Sequence, residues 1–162
     1  MPTRIGIHAG RIMLGNFGAM DHFEYRPVGD IVNATTRLDG LNKRLATRIL
    51  ISDSVAGNLD GFAVREVGTF LLMGKAKPLK IYELRCRKDD STEQMLHSFD
   101  VFSEALASFR QGLWEEAQKR FSAYNKAFGE DGTSRFYLDL CSRYLDNPPA
   151  GEWDGVIRLD FK

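Results

Sequence analysis

The chain has 162 residues, enough for one ordinary domain or for part of a domain with a small appendage. Its 22 basic and 22 acidic residues give zero formal net charge, which excludes a general electrostatic attraction to nucleic acid or to an anionic membrane. No stretch approaches the ~20 apolar residues of a membrane span. Cys86 and Cys141 form neither a disulfide framework nor a metal-binding spacing, so we expect a cytoplasmic protein.

Short strands are the first predicted elements. Ile5 and Ile7 alternate with small or polar residues, as in a half-buried strand. Apolar residues and glycines over 12–25 then predict a second strand, a turn in which glycine tolerates positive φ, and a third extended segment. His8 and His22 lie in or between these predicted strands, but the residues near them do not complete a metal-binding set. We therefore expect structural or exposed histidines.

A helix is predicted to begin at Asp30, whose carboxylate can cap the free backbone N–H groups of the first turn. It should fade near residues 42–46. Its apolar face is formed by residues at helical spacing, namely Ile31, Ala34, Leu38 and Leu41. Asn33 and Arg37 are four residues apart and share a different face. They pair a hydrogen-bonding amide with a planar cation that can hold a phosphate, although the pattern also fits an ordinary exposed face.

Strands dominate the next part of the chain. The apolar patterns predict strands at 48–52, 62–67, 69–73 and 79–86, with a break at Gly68 and a short helix after Ser52 or Asp53 through Leu59. The tight turn before the last of these strands is basic and contains Gly74, Lys75 and Lys77. Residues 87–96 are polar and charged, which predicts a linker.

Residues 97–146 are predicted to form three helical stretches, interrupted at Gly112 and at residues 129–132, with aromatic-rich stripes that we expect to form a core. One part resembles a tetratricopeptide-type helical hairpin, through the spacing of Ala105, Phe109, Gly112, Ala117 and Phe121. No second copy of the period is visible, so the segment is not a repeat array. Residues 147–162 are predicted to be an extended tail. The order of elements indicates an α+β fold, a sheet layered with helices, followed by a small α-helical hairpin appendage.

The predicted helix and its flanks carry a family resemblance. The pattern Tyr25-x-x-x-Gly29-Asp30-x-Val32-Asn33-x-x-x-Arg37-Leu38-x-Gly40-Leu41 resembles the signature of class III nucleotidyl cyclases. The segments 5–10, 14–18, 49–52, 67–68, 74–78 and 81–84 resemble the strands and turns on either side of that signature in the family. The chain is similar in particular to bacterial adenylate cyclases with a CHASE-type sensor. The resemblance implies that residues 1–86 form part of a ferredoxin-like cyclase sheet, here incomplete.

The resemblance implies roles for individual residues. Asn33 matches the family asparagine that orients the ribose, and Arg37 matches the arginine that stabilises the transition state. Lys75 matches a lysine that binds the triphosphate, although Lys77 is close by. Asp30 belongs to the same motif, and we group it with the substrate-binding residues.

Arg26 departs from the family pattern. It stands where many members carry an aspartate or threonine that contacts the base. A cation there cannot accept a hydrogen bond from the amino group of adenine, so the choice between ATP and GTP stays open although ATP is the expected substrate. The Arg26 side chain can stack on the base, pair with Asp30 or Glu24, or lie exposed at the end of a strand.

The family reaction makes cyclic AMP and pyrophosphate from ATP with two divalent metals, Mg²⁺ or Mn²⁺, held by two aspartates. The resemblance places both aspartates before the first residues of this chain, and Asp30 is neither of them. We therefore expect no metal ligands here, and a partner that is a second copy or a complementary cyclase subunit. The chain alone is expected to be inactive. In relatives with a membrane-anchored sensor, the domain faces the cytoplasmic side of the inner membrane.

Other interpretations stay open from the sequence. The chain is alternatively a non-catalytic interaction or dimerisation module, in which the cyclase segment is degenerate and the helical segment binds a partner. A general nucleotide-binding protein is a weaker hypothesis, because the sequence has no P-loop glycine pattern. A further alternative is that the helical segment packs on the cyclase segment as a structural cap.

Overall fold

The computed structural model describes residues 3–19, 22–73 and 75–159. The strands in these ranges are β1 (Ile5–Ile7), β2 (Met13–Ala19), β3 (His22–Val28), β4 (Ile49–Ser52), β5 (Phe62–Leu71), β6 (Leu79–Arg87) and β7 (Ile157–Arg158). The α-helices are α1 (Asp30–Leu45), α2 (Asp53–Ala56), α3 (Glu93–Arg110), α4 (Trp114–Phe128) and α5 (Gly132–Asp146). These elements confirm the predicted α+β class. None of the helices described is long and apolar enough to cross a membrane.

The main sheet has five strands in the order β1-β4-β6-β5-β7. β1 and β4 are parallel, and the chain returns between them through β2, β3 and α1, because a parallel pair requires a crossover. β6 runs antiparallel to both of its neighbours. The tail contributes β7, which runs parallel to β5 and covers the edge of that strand.

Gly68 does not end a strand as the sequence predicts. The two strands predicted on either side of it form the single strand β5, whose register shifts between Glu66 and Gly68. Gly68 has a φ of 131°, and a Cβ atom there would collide with the hydroxyl of Tyr137. The glycine therefore permits a bulge and a close approach of α5, rather than a chain break.

α1 packs on β1 and β4 through a fully buried stripe, which consists of Ala34, Leu38, Leu41 and Leu45. The backbones approach closely, since a Cβ at Gly6 would lie only 2.8 Å from the Cβ of Leu38. The side-chain amide of Asn42 donates to the carbonyl oxygen of Ile5 at 2.9 Å. These contacts fix α1 relative to the edge strand β1.

The predicted N-cap of α1 is wrong by one residue. Gly29 occupies the N-cap position with a φ of 149°, a conformation that favours glycine, and no side chain caps the helix. Asp30 is the first helical residue, where its negative charge is favoured by the helix dipole. Its carboxylate instead accepts a hydrogen bond from Lys75.

The later helices share one hydrophobic core with the sheet. The residues that join the two parts include Leu38, Leu50, Phe70 and Ile81 on one side and Phe102, Phe109, Phe121 and Tyr137 on the other. The aromatic stripes are core, as predicted, and the rings of Phe121 and Tyr137 stack with centroids 4.9 Å apart. The helical part contains three helices, with breaks where the sequence predicts them, and α3 begins at Glu93, inside the predicted linker 87–96. The division of the chain into domains stays a prediction.

A buried ionic cluster also joins the sheet to the helices. Arg65 on β5 has a side chain 2% exposed, and its guanidinium lies 2.6 Å from Glu83 on β6 and 2.5 Å from Asp131. Asp131 is the N-cap of α5, where it also accepts from the backbone N–H of Ser134 at 2.8 Å. Burial by itself would lower the pKa of Arg65, but the carboxylates of Glu83 and Asp131 outweigh it and raise that pKa.

β2 and β3 form a separate two-stranded antiparallel sheet. Several of its large apolar side chains are exposed: Met13 is 69% exposed, Leu14 is 56% exposed and Tyr25 is 70% exposed. An isolated hairpin has little core of its own to stabilise it.

Candidate functional site

Three polar side chains follow one another along one face of α1. Asp30, Asn33 and Arg37 are separated by three and four residues, the spacing of neighbours on a helix surface. Asn33 is exposed and Arg37 is half-buried. Within the residues that the structure describes, neither of these two side chains makes a hydrogen bond or an ion pair. Their amide and guanidinium groups are therefore open to a ligand.

Lys75 follows β5 and reaches the start of this face. Its Nζ donates to Oδ2 of Asp30 at 2.6 Å, with the lysine side chain 11% exposed and the aspartate side chain 68% exposed. Its backbone N–H donates to the carbonyl oxygen of Leu72 at 2.9 Å, which closes the turn. The sheet thus brings a second cation to the end of α1 that carries the predicted site residues.

The sequence leaves Lys77 as an alternative to Lys75. The Lys77 side chain is exposed, whereas Lys75 contacts the first residue of α1. Gly74, which completes the predicted basic motif, lies outside the described residues. The contact with Asp30 therefore distinguishes Lys75 as the lysine held against the α1 face.

Arg26 lies on β3, in the exposed hairpin. Its guanidinium is 3.7 Å from the carboxylate of Glu24, with side chains 60% and 78% exposed, respectively. This contact is one of the arrangements that the sequence leaves open. Exposed pairs of this kind contribute little to stability, so the pair does not prevent Arg26 from contacting a ligand.

Sequence reasoning missed a polar cluster at the ends of β1 and β4. His8 follows β1, and its Nδ1 lies 2.8 Å from Oγ of Ser52, the last residue of β4. The Ser52 hydroxyl is also 2.8 Å from Oγ of Ser54. Parallel strands present their carboxyl ends at one edge of a sheet, where ligand-binding residues often gather. The available signal in the sequence was a polar residue at the carboxyl end of each of two short apolar strands, His8 after β1 and Ser52 at the end of β4.

Electrostatics place this cluster beside the ion pair at α1. The pKa of His8 is lowered, first by burial and then by the positive charge of Lys75. The carboxylates of Asp53 and Asp30 act in the opposite direction without reversing the shift. His8 thus senses the charges at the start of α1, and a polyanion bound there would favour its protonated form.

The described residues do not fit a divalent metal. Within residues 3–19, 22–73 and 75–159, no three His, Cys, Asp or Glu side chains form a group that could hold an ion. Asp30, the carboxylate on the α1 face, is already paired with Lys75. The chemistry of this face is that of anion and hydroxyl binding, supplied by two cations and an amide.

Comparison with known proteins identifies the family. Residues 1–86 match the adenylate and guanylate cyclase catalytic domain, which is more than half of the 162 residues, and the chain therefore belongs to that family. Adenylate cyclase 1 of Rhizobium meliloti is 39% identical over 83 residues, which cover 51% of this chain and 12% of the relative. The adenylate cyclase of Anabaena cylindrica is 34% identical over 85 residues, which cover 50% of this chain and 17% of the relative.

One similarity extends into the helical part. The terminal-differentiation specific adenylate cyclase of Dictyostelium discoideum is 24% identical over 144 residues, 86% of this chain and 7% of the relative. Among solved structures, the adenylyl cyclase CyaB from P. aeruginosa is 30% identical with a TM-score of 0.44, over 54% of this chain and 42% of that chain. The chain thus spans less than half of the length of each of these proteins. Family membership confirms the class predicted from the α1 motif.

Proposed function

We propose that this chain supplies the Asn33, Arg37 and Lys75 half-site of a class III nucleotidyl cyclase that forms cyclic AMP and pyrophosphate from ATP. The observation that carries the proposal is the 2.6 Å contact between Lys75 and Asp30, which holds a cation at the α1 face of Asn33 and Arg37. The family assignment of residues 1–86 supports the reaction class.

In this reaction the ribose 3′-oxygen attacks the α-phosphorus, and the bond from that phosphorus to the pyrophosphate oxygen breaks. Negative charge grows on the α-phosphoryl oxygens during the attack. Arg37 offers these oxygens a planar, bidentate donor, and a preorganised cation there stabilises the transition state more than the ground state. Asn33, one helical turn earlier, offers both a donor and an acceptor to a ribose hydroxyl.

Lys75 supplies a point charge for the triphosphate. Without nucleotide its ammonium is paired with Asp30, so a triphosphate must displace that carboxylate or share the lysine with it. Because the Asp30 side chain is 68% exposed, the carboxylate can turn to water at little cost. Arg26 would lie near the base, and its contact with Glu24 leaves the choice between adenine and guanine to experiment.

The proposed partner is a second copy of this chain or a complementary cyclase subunit, and a complementary subunit would supply the metal-binding aspartates. Exposed apolar side chains on the β2–β3 hairpin, Met13, Leu14 and Tyr25, support a subunit contact. A cytoplasmic location, a CHASE-type sensor and a tetratricopeptide-like helical part are finer proposals that rest on the sequence resemblance. The chain alone is proposed to be inactive.

The test mixes this chain with a metal-competent cyclase subunit whose own asparagine and arginine have been replaced, and measures cyclic AMP. We expect restored activity that Arg37→Ala lowers by about 10²–10³-fold, as for other groups that stabilise transition-state charge. Lys43→Ala is the matched control, because it removes one exposed positive charge from the same helix. It should retain activity within about twofold, since exposed charges far from the reacting atoms have weak, screened effects.

Two results would contradict the proposal. One is the absence of cyclic AMP from a mixture in which both chains are shown to be folded. The other is an equal loss for Arg37→Ala and Lys43→Ala, which would mean that the arginine acts only through net charge. Either result would favour the non-catalytic interaction module.

A further inference from the structure

The end of β5 is held by the C-terminal segment. Ile157 pairs with Phe70 and Arg158 with Leu71 in a parallel ladder, and the backbone N–H of Leu159 donates to the carbonyl oxygen of Leu71 at 3.3 Å. Ile157 and Leu159 are 2% and 6% exposed, respectively, so the segment is also buried in the core. The pairing of β5 with β6 ends at Phe70, so among the described residues Leu71 is paired through β7 of the tail.

The tail is itself anchored on α3. The indole N–H of Trp153 donates to the carbonyl oxygens of Phe109 at 3.3 Å and Arg110 at 3.0 Å, the last residues of that helix. The Trp153 ring contacts those of Trp114 and Tyr144, with centroids 4.9 Å and 5.5 Å away. These contacts add donors to carbonyls at the helix end and fix where the tail begins.

Between Trp153 and the strand, a short local structure sets the direction of the chain. Gly155 turns it with a φ of 74°, a conformation that favours glycine. Asp154 accepts a hydrogen bond from the backbone N–H of Val156 at 3.1 Å and pairs with Arg158 at 2.6 Å. The segment is thus preorganised to meet β5 in one register.

Lys75 lies four residues after Leu71, the last residue of β5 that pairs with the tail. Leu71 ends β5, Leu72 is 2% exposed, and the carbonyl oxygen of Leu72 accepts from the backbone N–H of Lys75 at 2.9 Å. The lysine side chain then reaches Asp30 at the start of α1. Any fraying at the end of β5 would therefore move the lysine relative to α1.

We propose that the segment from Trp153 to Leu159 is a positioning element for Lys75: by pairing with the end of β5, it fixes the turn that places the lysine against α1. The inference rests on the proposed role of Lys75 in triphosphate binding. It assigns a part in the site to residues more than 75 positions away from that lysine in sequence. A tail that only covers the sheet edge would protect β5 without affecting nucleotide binding.

The first measurement is hydrogen exchange of the backbone amides in the β5–β6 turn. Leu159→Pro removes the N–H that reaches Leu71, and Leu159→Ala is the matched control because it keeps that N–H while shortening the side chain. We expect Leu159→Pro to speed exchange at Lys75 by about tenfold more than Leu159→Ala does, as local opening of a released strand end predicts. Equal rates at Lys75 in the two variants would overturn the proposal.

A conservative change keeps the test valid if the proline variant does not fold. Trp153→Phe retains an aromatic ring in the cluster, although a smaller one, and removes the indole N–H that donates to the end of α3. We expect faster exchange at Lys75 than in the parent protein while the buried strand β4 keeps its protection. Unchanged exchange at Lys75 in this folded variant would again contradict the positioning role.

The second measurement is a double-mutant cycle on ATP affinity with the complementary subunit present. Trp153→Phe should weaken ATP binding by about threefold to tenfold in the parent but by less than twofold in Lys75→Ala, because coupled residues are not additive. Equal weakening in both backgrounds would mean that the tail acts without Lys75 and would overturn the proposal. An absence of ATP binding in the parent would instead contradict the proposed function, while the exchange measurement still decides whether the tail holds the turn.

Discussion

The ion pair at α1 and the ionic cluster around Arg65 both join a cation to carboxylates, but they differ in their exposure to water. At α1, Lys75 meets an aspartate whose side chain is 68% exposed. In the second cluster, Arg65 has a side chain only 2% exposed and meets two carboxylates, Glu83 and Asp131. Water can therefore replace Lys75 as the partner of Asp30, whereas the Arg65 side chain is almost completely shielded from water.

This difference separates binding from structure. A guanidinium removed from water must keep its carboxylate partners, because a buried charge left alone is strongly unfavourable. The pKa of Asp131 reflects this arrangement: burial alone would raise it, but Arg65 and the hydrogen bonds to the carboxylate lower it. The exposed pair at α1 can exchange its carboxylate for a phosphate at small cost, which suits a ligand site.

The largest predicted effect is therefore on stability and comes from Arg65. Arg65→Met keeps the aliphatic stem but removes the buried cation that Glu83 and Asp131 share. Of its ion pairs among the described residues, Glu83 then keeps only the one with Arg85, at 3.1 Å. We expect a loss of about 3–5 kcal/mol in the free energy of unfolding. Urea denaturation measures it. Arg37→Met is the matched control, because it makes the same substitution at a half-exposed position, and it should change stability by less than about 0.5 kcal/mol.

Losses of similar size for Arg65→Met and Arg37→Met would mean that the buried ionic cluster is no more important for stability than the α1 face. A double variant tests the role of the buried carboxylate. Replacing Glu83 as well, with Arg65→Met and Glu83→Leu together, should recover part of the loss, because the double variant no longer buries a carboxylate that has lost its contact with Arg65. A further loss in the double variant would mean that Glu83 stabilises the core by itself.

Alanine substitutions at two glycines should change the free energy of unfolding by an intermediate amount, in opposite directions. Gly132 begins α5 against α1, and a Cβ there would lie 2.6 Å from the carbonyl oxygen of Leu45. Gly132→Ala should destabilise the chain by about 1–3 kcal/mol through overpacking. Gly40 lies within α1, and a Cβ there would meet no atom within 4 Å. Gly40→Ala should stabilise by about 0.5–1 kcal/mol, because glycine is unfavourable inside a helix.

Urea denaturation of both alanine variants gives the check. Gly132→Ala tests the contact between α5 and α1, and Gly40→Ala tests an open part of the α1 surface. Destabilisation by Gly40→Ala would indicate a close neighbour at that surface. Tolerance of Gly132→Ala would mean that α5 does not press against α1, contrary to the shared core.

Local features of the structure followed from the sequence. α1 runs from Asp30 to Leu45, close to its predicted ends, because its apolar residues repeat every three or four positions. Its N-cap was misassigned, since Asp30 is also a good N-cap residue and only the backbone conformation at Gly29 shows where the helix begins. Periodicity thus predicts an element better than its boundary.

Contacts between distant residues did not follow from the sequence. Arg65 and Asp131 are 66 residues apart, and neither lies in a pattern that predicts the other. The pairing of β7 with β5 is equally long-range, because a two-residue strand has too short a pattern to predict. For the same reason the sequence predicted the residues of the α1 face, Asn33 and Arg37, but not the neighbouring His8 and Ser52.

The smallest predicted effect is a pH dependence at the α1 site, where His8 is the reporting group. Its pKa is lowered below 6.5 in the folded chain, so as the pH falls the unfolded chain binds a proton first. The free energy of unfolding should therefore decrease as the pH falls through about 6.5 and be retained above it, and His8→Gln should remove this component from urea denaturation series. Lys75→Gln should weaken the dependence and Asp53→Asn should strengthen it, because Lys75 lowers this pKa and Asp53 raises it. The same change for both variants would show that His8 does not sense the lysine, and that the polar cluster at the strand ends is separate from the site at α1.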